Sequence, residues 1–156
     1  MKRPKPTSEH KSGKTSPIYI DLRLLASHPG VLARVATAYA NLLNSLEFDH
    51  IAAIPYAALP IGTAVALQVS QPLIYPRKEV KSYGTARPIE GRFAAGETAL
   101  LVDDLITRGE SKLEALAPLT QAGLLIKDIL VLIDRQQGGR AVLEAHGYRL
   151  HNLLWG

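Results

Sequence analysis

The amino-acid sequence predicts an α/β fold in which a central, mainly parallel β-sheet is flanked by helices. Two observations carry this prediction. From residue 17 onward, short β-branched or apolar runs alternate with longer segments whose apolar residues repeat at helical spacing. Residues 99–102 are apolar without interruption, as in a strand that is buried within a sheet. A chain of 156 residues is long enough to build one such domain around one core.

The first half of the chain predicts three strands separated by two helices. In chain order we expect strand, helix, strand, helix and strand over residues 18–22, 27–46, 50–54, 59–69 and 72–75. Ser27 is the predicted cap of the first helix, because Pro29 then falls in its first turn. The short lengths of these elements are those that a repeated strand–helix–strand unit requires.

A long polar stretch separates the two halves. Residues 77–92 show no apolar face of either helical or strand period, so we expect a loop there. Loops of this length inside compact domains are often lids or binding elements. A solvated hairpin is the alternative that composition leaves open.

The second half predicts strand, helix, strand, turn, helix and strand over residues 98–102, 111–122, 126–133, 134–139, 140–146 and 148–153. Gly123 is placed to end the first of these helices in the left-handed conformation. Pro118 lies inside the same helix and is expected to kink it.

Composition and charge narrow the function classes. Residues 1–16 form a basic segment with five Lys or Arg and one acid, which we expect to be a disordered tail. Residues 17–156 form the domain and carry thirteen charges of each sign, which argues against a nucleic-acid-binding face. The absence of cysteine excludes disulfides, thiolate metal clusters and a cysteine nucleophile. No apolar run reaches the roughly 18 residues of a membrane span, so we expect a cytoplasmic protein without a membrane partner.

The segment with the most candidate functional side chains follows the apolar strand at residues 99–102. Asp103 and Asp104 emerge at its carboxyl end, where open parallel sheets bind ligands. Residues 107–111 then lead into a helix, and N–H groups and hydroxyls at a helix N terminus can surround a phosphate. The acids could accept hydrogen bonds from sugar hydroxyls. The simpler alternative is a turn followed by a helix cap.

The sequence VDDLITRGES at residues 102–111 resembles the motif of type I phosphoribosyltransferases that binds phosphoribosyl pyrophosphate (PRPP). Three further stretches resemble the orotate phosphoribosyltransferase family: KSGKTSPIY at residues 11–19, RKEVKSYG at residues 77–84 and DRQQGG at residues 134–139. The resemblance implies a parallel sheet with helices on both faces and a flexible hood loop.

The resemblance also implies an activity. Orotate is joined to C1 of PRPP, which gives orotidine 5′-monophosphate and pyrophosphate on the route to UMP. The implied cofactor is Mg²⁺, held through PRPP and water rather than by direct protein ligands. The implied assembly is a homodimer whose sites are completed across subunits.

The resemblance to the family also implies roles for individual residues at matching positions of this sequence. The implied PRPP-binding residues are Lys11, Tyr56, Arg77, Lys78, Lys81, Asp103, Asp104, Leu105, Ile106, Thr107, Arg108, Gly109, Glu110 and Ser111. Of these, Lys81, Asp103 and Asp104 are the implied catalytic residues, and Lys81 closes over pyrophosphate in the neighbouring subunit. The implied orotate-binding residues are Tyr19, Ile20, Thr107 and Arg135, and the planar guanidinium of Arg135 suits a flat anion.

The sequence departs from the family pattern near Tyr56 and inside the PRPP motif. Ala57 stands where many bacterial members have a lysine. Arg108 and Glu110 replace smaller residues, and we expect both side chains to point away from the phosphate, because Glu110 would repel it. Three other functions stay open: a PRPP-sensing regulator, a transferase for another base, and an interaction module that uses the basic tail.

Overall fold

The computed structural model describes residues 21–79 and 87–156. Within these ranges the strands are β1 (His50–Ala53), β2 (Leu73–Pro76), β3 (Ile89–Glu90), β4 (Thr98–Val102), β5 (Leu105–Ile106), β6 (Leu125–Asp134) and β7 (Arg149–Trp155). The helices are α1 (Pro29–Leu43), α2 (Ala58–Val69), α3 (Glu110–Gln121) and α4 (Gly139–Ala145), and a 3-10 helix (Leu22–Ser27) precedes α1. None of the helices in this part of the chain is long and apolar enough to cross a membrane.

The strands form a single seven-stranded sheet in which the spatial order begins β3-β2-β1-β4-β6. β6 pairs with β4 and β5 along one of its edges and with β7 along the opposite edge. All pairs are parallel except β2 with β3. The predicted α/β fold with a mainly parallel sheet is therefore confirmed.

Helices cover both faces of this sheet. On one face, β-strand residues such as Ile51 and Leu100 pack with residues of α1 and α2. On the other face, residues such as Leu101 and Ile129 pack with residues of α3 and α4. Alternation along each strand sends successive side chains to opposite faces, which is why an uninterrupted apolar run serves both cores. Each fully buried Leu or Ile contributes about 1.5–3 kcal/mol through burial alone.

The described start of the chain corrects two predictions. Residues 18–20 of the first predicted strand lie outside the described residues, but Asp21 and Leu22 are not in a strand. The Asp21 carboxylate accepts the Arg23 N–H at 3.1 Å and caps the 3-10 helix. This local bond gives the backbone an alternative to strand pairing. Ser27 belongs to the 3-10 helix rather than capping α1, which begins after His28.

α1 ends at Leu43, three residues before the predicted end. Beyond it, the Leu46 N–H donates to the Leu43 carbonyl at 3.0 Å in a turn that closes the helix. The apolar side chain of Leu46 still packs against the core, which explains why the helical pattern continued past the end of the helix.

The long polar stretch contains a short strand, which the hairpin alternative allowed and an unbroken loop did not. β3 pairs antiparallel with β2, with Tyr75 opposite Glu90 and Pro76 opposite Ile89. Ile89 is buried, so a single apolar residue anchors this short strand. The prediction of an unbroken loop over residues 77–92 is therefore wrong at its second half. Residues 80–86 lie outside the described residues.

α3 follows its prediction closely and runs one turn beyond Pro118. The helix ends in a Schellman motif: the Gly123 N–H donates to the Thr120 carbonyl at 3.0 Å, and the Leu124 N–H donates to the Leu119 carbonyl at 3.2 Å. Gly123 has a φ of 91°, so the predicted left-handed glycine cap is confirmed.

Candidate active site

A cavity of about 670 Å³ lies beyond the carboxyl ends of β1, β2 and β4, beside the N terminus of α3. Parallel strands present their carboxyl ends at the same edge of a sheet, so loops that are distant in sequence meet there. Seven residues singled out from the sequence line this cavity: Tyr56, Arg77, Lys78, Asp103, Asp104, Leu105 and Ser111. The fold therefore brings these seven residues, which are distant in sequence, to one cavity.

Other predicted residues are placed differently. Ile106 is fully buried in β5, and neither it nor Arg135 lines the cavity. The same holds for the other described residues of the PRPP motif, which are Thr107, Arg108, Gly109 and Glu110. Lys11, Tyr19, Ile20 and Lys81 lie outside the described residues.

Both carboxylate oxygens and both backbone polar groups of Asp103 have partners within the chain. Its Oδ1 accepts the Asp104 N–H at 2.8 Å, and its Oδ2 lies 2.8 Å from the Lys112 Nζ. The Tyr39 hydroxyl, on the buried face of α1, donates to the Asp103 carbonyl at 2.9 Å. The Asp103 N–H in turn donates to the Leu130 carbonyl of β6 at 3.0 Å. The carboxylate is thus fixed by the Asp104 backbone and by α3, while α1 and β6 hold the backbone of Asp103.

Burial dominates the electrostatics of this group. Asp103 is 7% exposed, and its desolvation raises the pKa of the carboxyl to about 6. The Lys112 ammonium works against this rise in pKa, whereas the neighbouring Asp104 carboxylate adds to it. Burial also raises the pKa of Tyr39, with smaller contributions from Asp103 and Asp104, so Tyr39 stays a neutral donor.

Asp104 has a different environment from Asp103. It is half-buried and lines the cavity, and one carboxylate oxygen accepts the Leu105 N–H at 2.8 Å. The Asp104 carbonyl accepts N–H groups of Leu132 at 2.9 Å and Ile133 at 3.2 Å, both on β6. The backbone of the acidic pair therefore continues the hydrogen bonding to β6 between the end of β4 and the start of β5. Of the two acids, Asp104 is the more accessible from the cavity.

Cationic and aromatic side chains form the opposite wall. Lys78 Nζ lies 5.1 Å from the centre of the Tyr56 ring, a cation–π distance. Tyr56 is 66% exposed, so its ring is open to the cavity and to solvent. Arg77 pairs with Glu90 at 3.6 Å, and the Arg77 N–H donates to the Pro88 carbonyl at 2.8 Å. These bonds tie the two described ends of the long polar loop to the cavity wall.

The turn at residues 134–139 is packed directly against the PRPP motif. The Arg135 N–H donates to the Ile106 carbonyl, and the Gly139 N–H donates to the Thr107 carbonyl, both at 3.0 Å. A Cβ added to Gly139 would lie 2.7 Å from the Thr107 oxygen, so only glycine allows this approach. The backbones of Thr107 and Arg135, both predicted at the base site, are therefore neighbours through these bonds.

Asp134 holds that turn in shape. It is 2% exposed, and its carboxylate accepts the Gln136 N–H at 2.8 Å and the Arg140 Nε–H at 3.3 Å. The Arg140 guanidinium also donates to the Leu150 carbonyl at 2.8 Å and lies over the Trp155 ring. α4 and β7 thus brace the turn from behind.

Two site residues were missed from the sequence. Lys112 is 3% exposed beside Asp103, and its spacing to Leu116 and Leu119 places it on the apolar face of α3. A lysine at a core position signals a buried acidic partner, because lysine is almost never fully buried unpaired. Tyr39 lies on the buried face of α1, and no sequence signal gave its bond to the Asp103 carbonyl.

Among residues 21–79 and 87–156, no group of three or more His, Cys, Asp or Glu side chains is arranged to hold a metal ion. A mainly parallel sheet covered on both faces, an acidic pair after β4 and a helix N terminus behind it define the class of protein. These are the fold and the loop of a type I phosphoribosyltransferase.

Comparisons with known proteins narrow this class. No model of a protein family matches the chain. The bifunctional enzyme PyrF/PyrE of Nostoc sp. is 47% identical over 143 residues, which are 92% of this chain and 30% of the relative. The orotate phosphoribosyltransferase of Pyrococcus furiosus is 38% identical over 145 residues, 92% of this chain and 80% of the relative. The chain belongs to the orotate phosphoribosyltransferase family.

Solved structures agree with this assignment. The UMP synthase of Leishmania donovani superposes with a TM-score of 0.87 at 44% identity, over 94% of this chain and 32% of that chain. The orotate phosphoribosyltransferase of Mycobacterium tuberculosis in complex with PRPP superposes with a TM-score of 0.77 at 26% identity, over 88% of this chain and 81% of that chain. The chain spans about a third of the bifunctional relatives it matches.

Proposed function

We propose that this chain is an orotate phosphoribosyltransferase, which transfers the 5-phosphoribosyl group from PRPP to orotate in the synthesis of UMP. The C1–oxygen bond to pyrophosphate breaks, a bond from C1 to the orotate ring nitrogen forms, and orotidine 5′-monophosphate and pyrophosphate leave. One observation carries the proposal: the acidic pair, the N terminus of α3 and the cationic base of the polar loop share one cavity.

We assign the ribose to this cavity and the 5′-phosphate to its edge at Ser111, the one residue of 107–111 that lines it. We assign the acidic pair to the ribose hydroxyls, with Asp104, the more exposed of the two, in direct contact. Residues 107–111 lead into α3, whose first N–H groups lack intrahelical acceptors and favour an anion. Gly109 has a φ of 91° and precedes the helix without a side-chain cap. The Lys112 N–H already donates to the Gly109 carbonyl at 3.1 Å, so we assign the phosphate to the N–H groups that precede Lys112. Glu110 is exposed and does not line the cavity, which supports an outward orientation of its side chain.

Leaving pyrophosphate needs cations on the opposite side. Arg77 and Lys78 line the cavity at the base of the polar loop. We assign Lys81 of the neighbouring subunit to the pyrophosphate as well, and Lys11 to a further PRPP contact. Positioned charges that meet developing charge are usually the largest catalytic contribution, and removal of one such donor costs about 10²-fold to 10³-fold in rate.

The base side of the site is formed by the turn at residues 134–139. We assign Arg135 to the orotate carboxylate, with Thr107, Tyr19 and Ile20 around the ring. The bonds from Arg135 to Ile106 and from Gly139 to Thr107 support this assignment, because they join the turn to the loop that holds the phosphoribosyl group. The site is completed in a homodimer by Lys81 of the neighbouring subunit.

Mg²⁺ belongs to the proposal as a partner of PRPP. The described residues offer two adjacent carboxylates, and one of them is already paired with Lys112, so they suit water-mediated rather than direct coordination. Bound to PRPP, the ion would neutralise part of the pyrophosphate charge as that group leaves.

The proposal is tested by product formation with the purified chain. Orotate, PRPP and Mg²⁺ should yield equal amounts of orotidine 5′-monophosphate and pyrophosphate, with little turnover of uracil or adenine in parallel reactions. Lys81→Ala should lower kcat by about 10²-fold to 10³-fold, whereas Lys127→Ala, an exposed lysine of β6 outside the cavity, should leave it unchanged. PRPP binding without product would identify a PRPP sensor, and turnover of another base in preference to orotate would reassign the substrate.

A further inference from the structure

Lys112 is a buried cation in the first turn of α3 that the proposed reaction has not used. It is 3% exposed and lines the cavity. It shares the buried face of the helix with Leu116 and Leu119, where an apolar side chain would otherwise be expected. Burying an ammonium group is costly unless a charged partner compensates it.

That partner is Asp103, one of the two acids of the PRPP motif. The Lys112 Nζ lies 2.8 Å from Asp103 Oδ2, and the exposed fractions of the two side chains are 4% and 10%. The other carboxylate oxygen of Asp103 accepts the Asp104 N–H at 2.8 Å. Both oxygens of Asp103 are therefore engaged within the chain.

In this arrangement Asp103 has a structural role and Asp104 faces the cavity. Asp103 is anchored, and its bond to the Asp104 N–H fixes the backbone from which the Asp104 side chain projects. Asp104 gives one oxygen to the Leu105 N–H and faces the cavity. The carboxylate nearer to a ligand is thus positioned by a second carboxylate, which is itself positioned by Lys112.

We propose that Lys112 is a positioning residue for phosphoribosyl transfer: its ammonium holds the Asp103 carboxylate ionised and in place, so that Asp104 is the acid presented to the ribose. The proposal rests on the function proposed above. It adds to that function a lysine in α3 whose side chain reaches the ribose only through Asp103 and Asp104.

Electrostatics supports the geometry. The charged and titratable groups around Asp103 are Asp104 on the same loop, Lys112 on α3 and Tyr39 on α1. Burial and Asp104 favour the protonated form of Asp103, and Lys112 is the group that favours the charged form. Without the ammonium, the pKa of Asp103 rises further, and protonation weakens the bond that the carboxylate accepts from the Asp104 N–H, because a neutral carboxyl is a weaker acceptor than a carboxylate.

The experiment compares the full chain with Lys112→Met and Lys112→Arg, using Lys127→Met as the matched control. The pH profile of kcat/KM for PRPP is measured for each. In Lys112→Met the acidic limb should move upward by about one to three pH units, as expected when a buried carboxyl loses an opposite charge. This shift lowers kcat/KM about tenfold at neutral pH, with recovery at higher pH. Lys112→Arg should restore the acidic limb, and Lys127→Met should match the wild type.

If kcat/KM of Lys112→Met falls uniformly at every pH, or if its acidic limb does not shift, the proposal is overturned. A purely structural role of Lys112 would not change the pH at which kcat/KM falls. If Lys112→Met does not fold, the double variant Asp103→Asn with Lys112→Met replaces it, since this pair buries no charge. That double variant should lose the acidic limb altogether, and a limb that persists at its wild-type position would also overturn the proposal.

A second readout separates this proposal from the proposed function. The carboxyl carbon of Asp103 is titrated by nuclear magnetic resonance in the ligand-free chain, where no turnover is needed. Its titration should move to higher pH in Lys112→Met and return in Lys112→Arg. A wild type that fails to convert orotate would sink the proposed function, even if the Asp103 titration still follows Lys112, whereas an Asp103 titration that is insensitive to Lys112 in an active enzyme would sink the positioning role alone.

Discussion

Replacing Gly139 with alanine tests how closely the turn at residues 134–139 supports the PRPP motif. The added Cβ would lie 2.7 Å from the Thr107 carbonyl oxygen and 2.7 Å from Ile106 Cγ1, whereas ordinary contacts begin near 3.4 Å. The loop must therefore retreat by about 0.7 Å, the difference between these two distances. The same movement misaligns the 3.0 Å bond from the Gly139 N–H to the Thr107 carbonyl.

A displacement of this size should be felt mainly in catalysis. A misplacement of about 1 Å in a substrate-positioning element can cost about 10²-fold, so we expect kcat/KM for PRPP to fall by about tenfold to 10²-fold in Gly139→Ala. Overpacking should also lower the free energy of unfolding by about 1–3 kcal/mol. Steady-state kinetics of pyrophosphate release and urea denaturation measure the two effects separately.

The adjacent glycine provides the matched control. Gly138 has a φ of 96°, and a Cβ added there meets nothing within 4 Å. Gly138→Ala should therefore lose about 1–2 kcal/mol of stability through backbone strain, while keeping nearly all of kcat/KM because nothing is pushed. Wild-type kcat/KM in Gly139→Ala, or an equal loss in Gly138→Ala, would refute the steric argument.

Four further outcomes follow from the site. Tyr39→Phe should lower the free energy of unfolding by about 1–3 kcal/mol in urea denaturation, because the buried Asp103 carbonyl loses its donor; an unchanged value would contradict that bond. Wild-type kcat/KM for PRPP should fall as pH drops through about 6, where Asp103 takes up a proton, and a profile that stays flat to pH 5 would argue against a role for its charged form. The same raised pKa makes the folded chain bind more protons than the unfolded chain between about 4 and 6, so this carboxyl lowers the free energy of unfolding as pH rises through that window. Removal of Mg²⁺ with a chelator should abolish turnover and leave the circular dichroism spectrum unchanged, and full activity without divalent ions would exclude the proposed role of the metal.

Much of the fold could be predicted because its parallel strands are buried on both faces and its helices carry a regular apolar stripe. β4 and β6 illustrate this, since their apolar runs are long enough to stand out from the surrounding sequence. β3 and β5 have two residues each, which is too short for any periodic pattern, and their pairing depends on the neighbouring strand rather than on local sequence. The 3-10 helix was missed because a single side-chain bond from Asp21 decides it.

The candidate site shows a similar division. The acidic pair and Ser111 could be placed, because a parallel sheet presents its loops at one edge and the motif at residues 102–111 is local in sequence. The Lys112–Asp103 pair spans nine positions and forms only when α3 docks on the sheet, so its charges could not be matched from spacing. The packing of Gly139 against Thr107 likewise depends on tertiary contact, although both stretches had been recognised separately.

A crystal structure of the chain with PRPP and Mg²⁺ tests the central claim most directly. The account requires the 5′-phosphate to lie at residues 107–111 before α3, the ribose hydroxyls to contact Asp104, and Asp103 to keep its bond to Lys112. PRPP bound elsewhere, for example beside Arg87 and Arg92 in the separate cavity at β3, would contradict it.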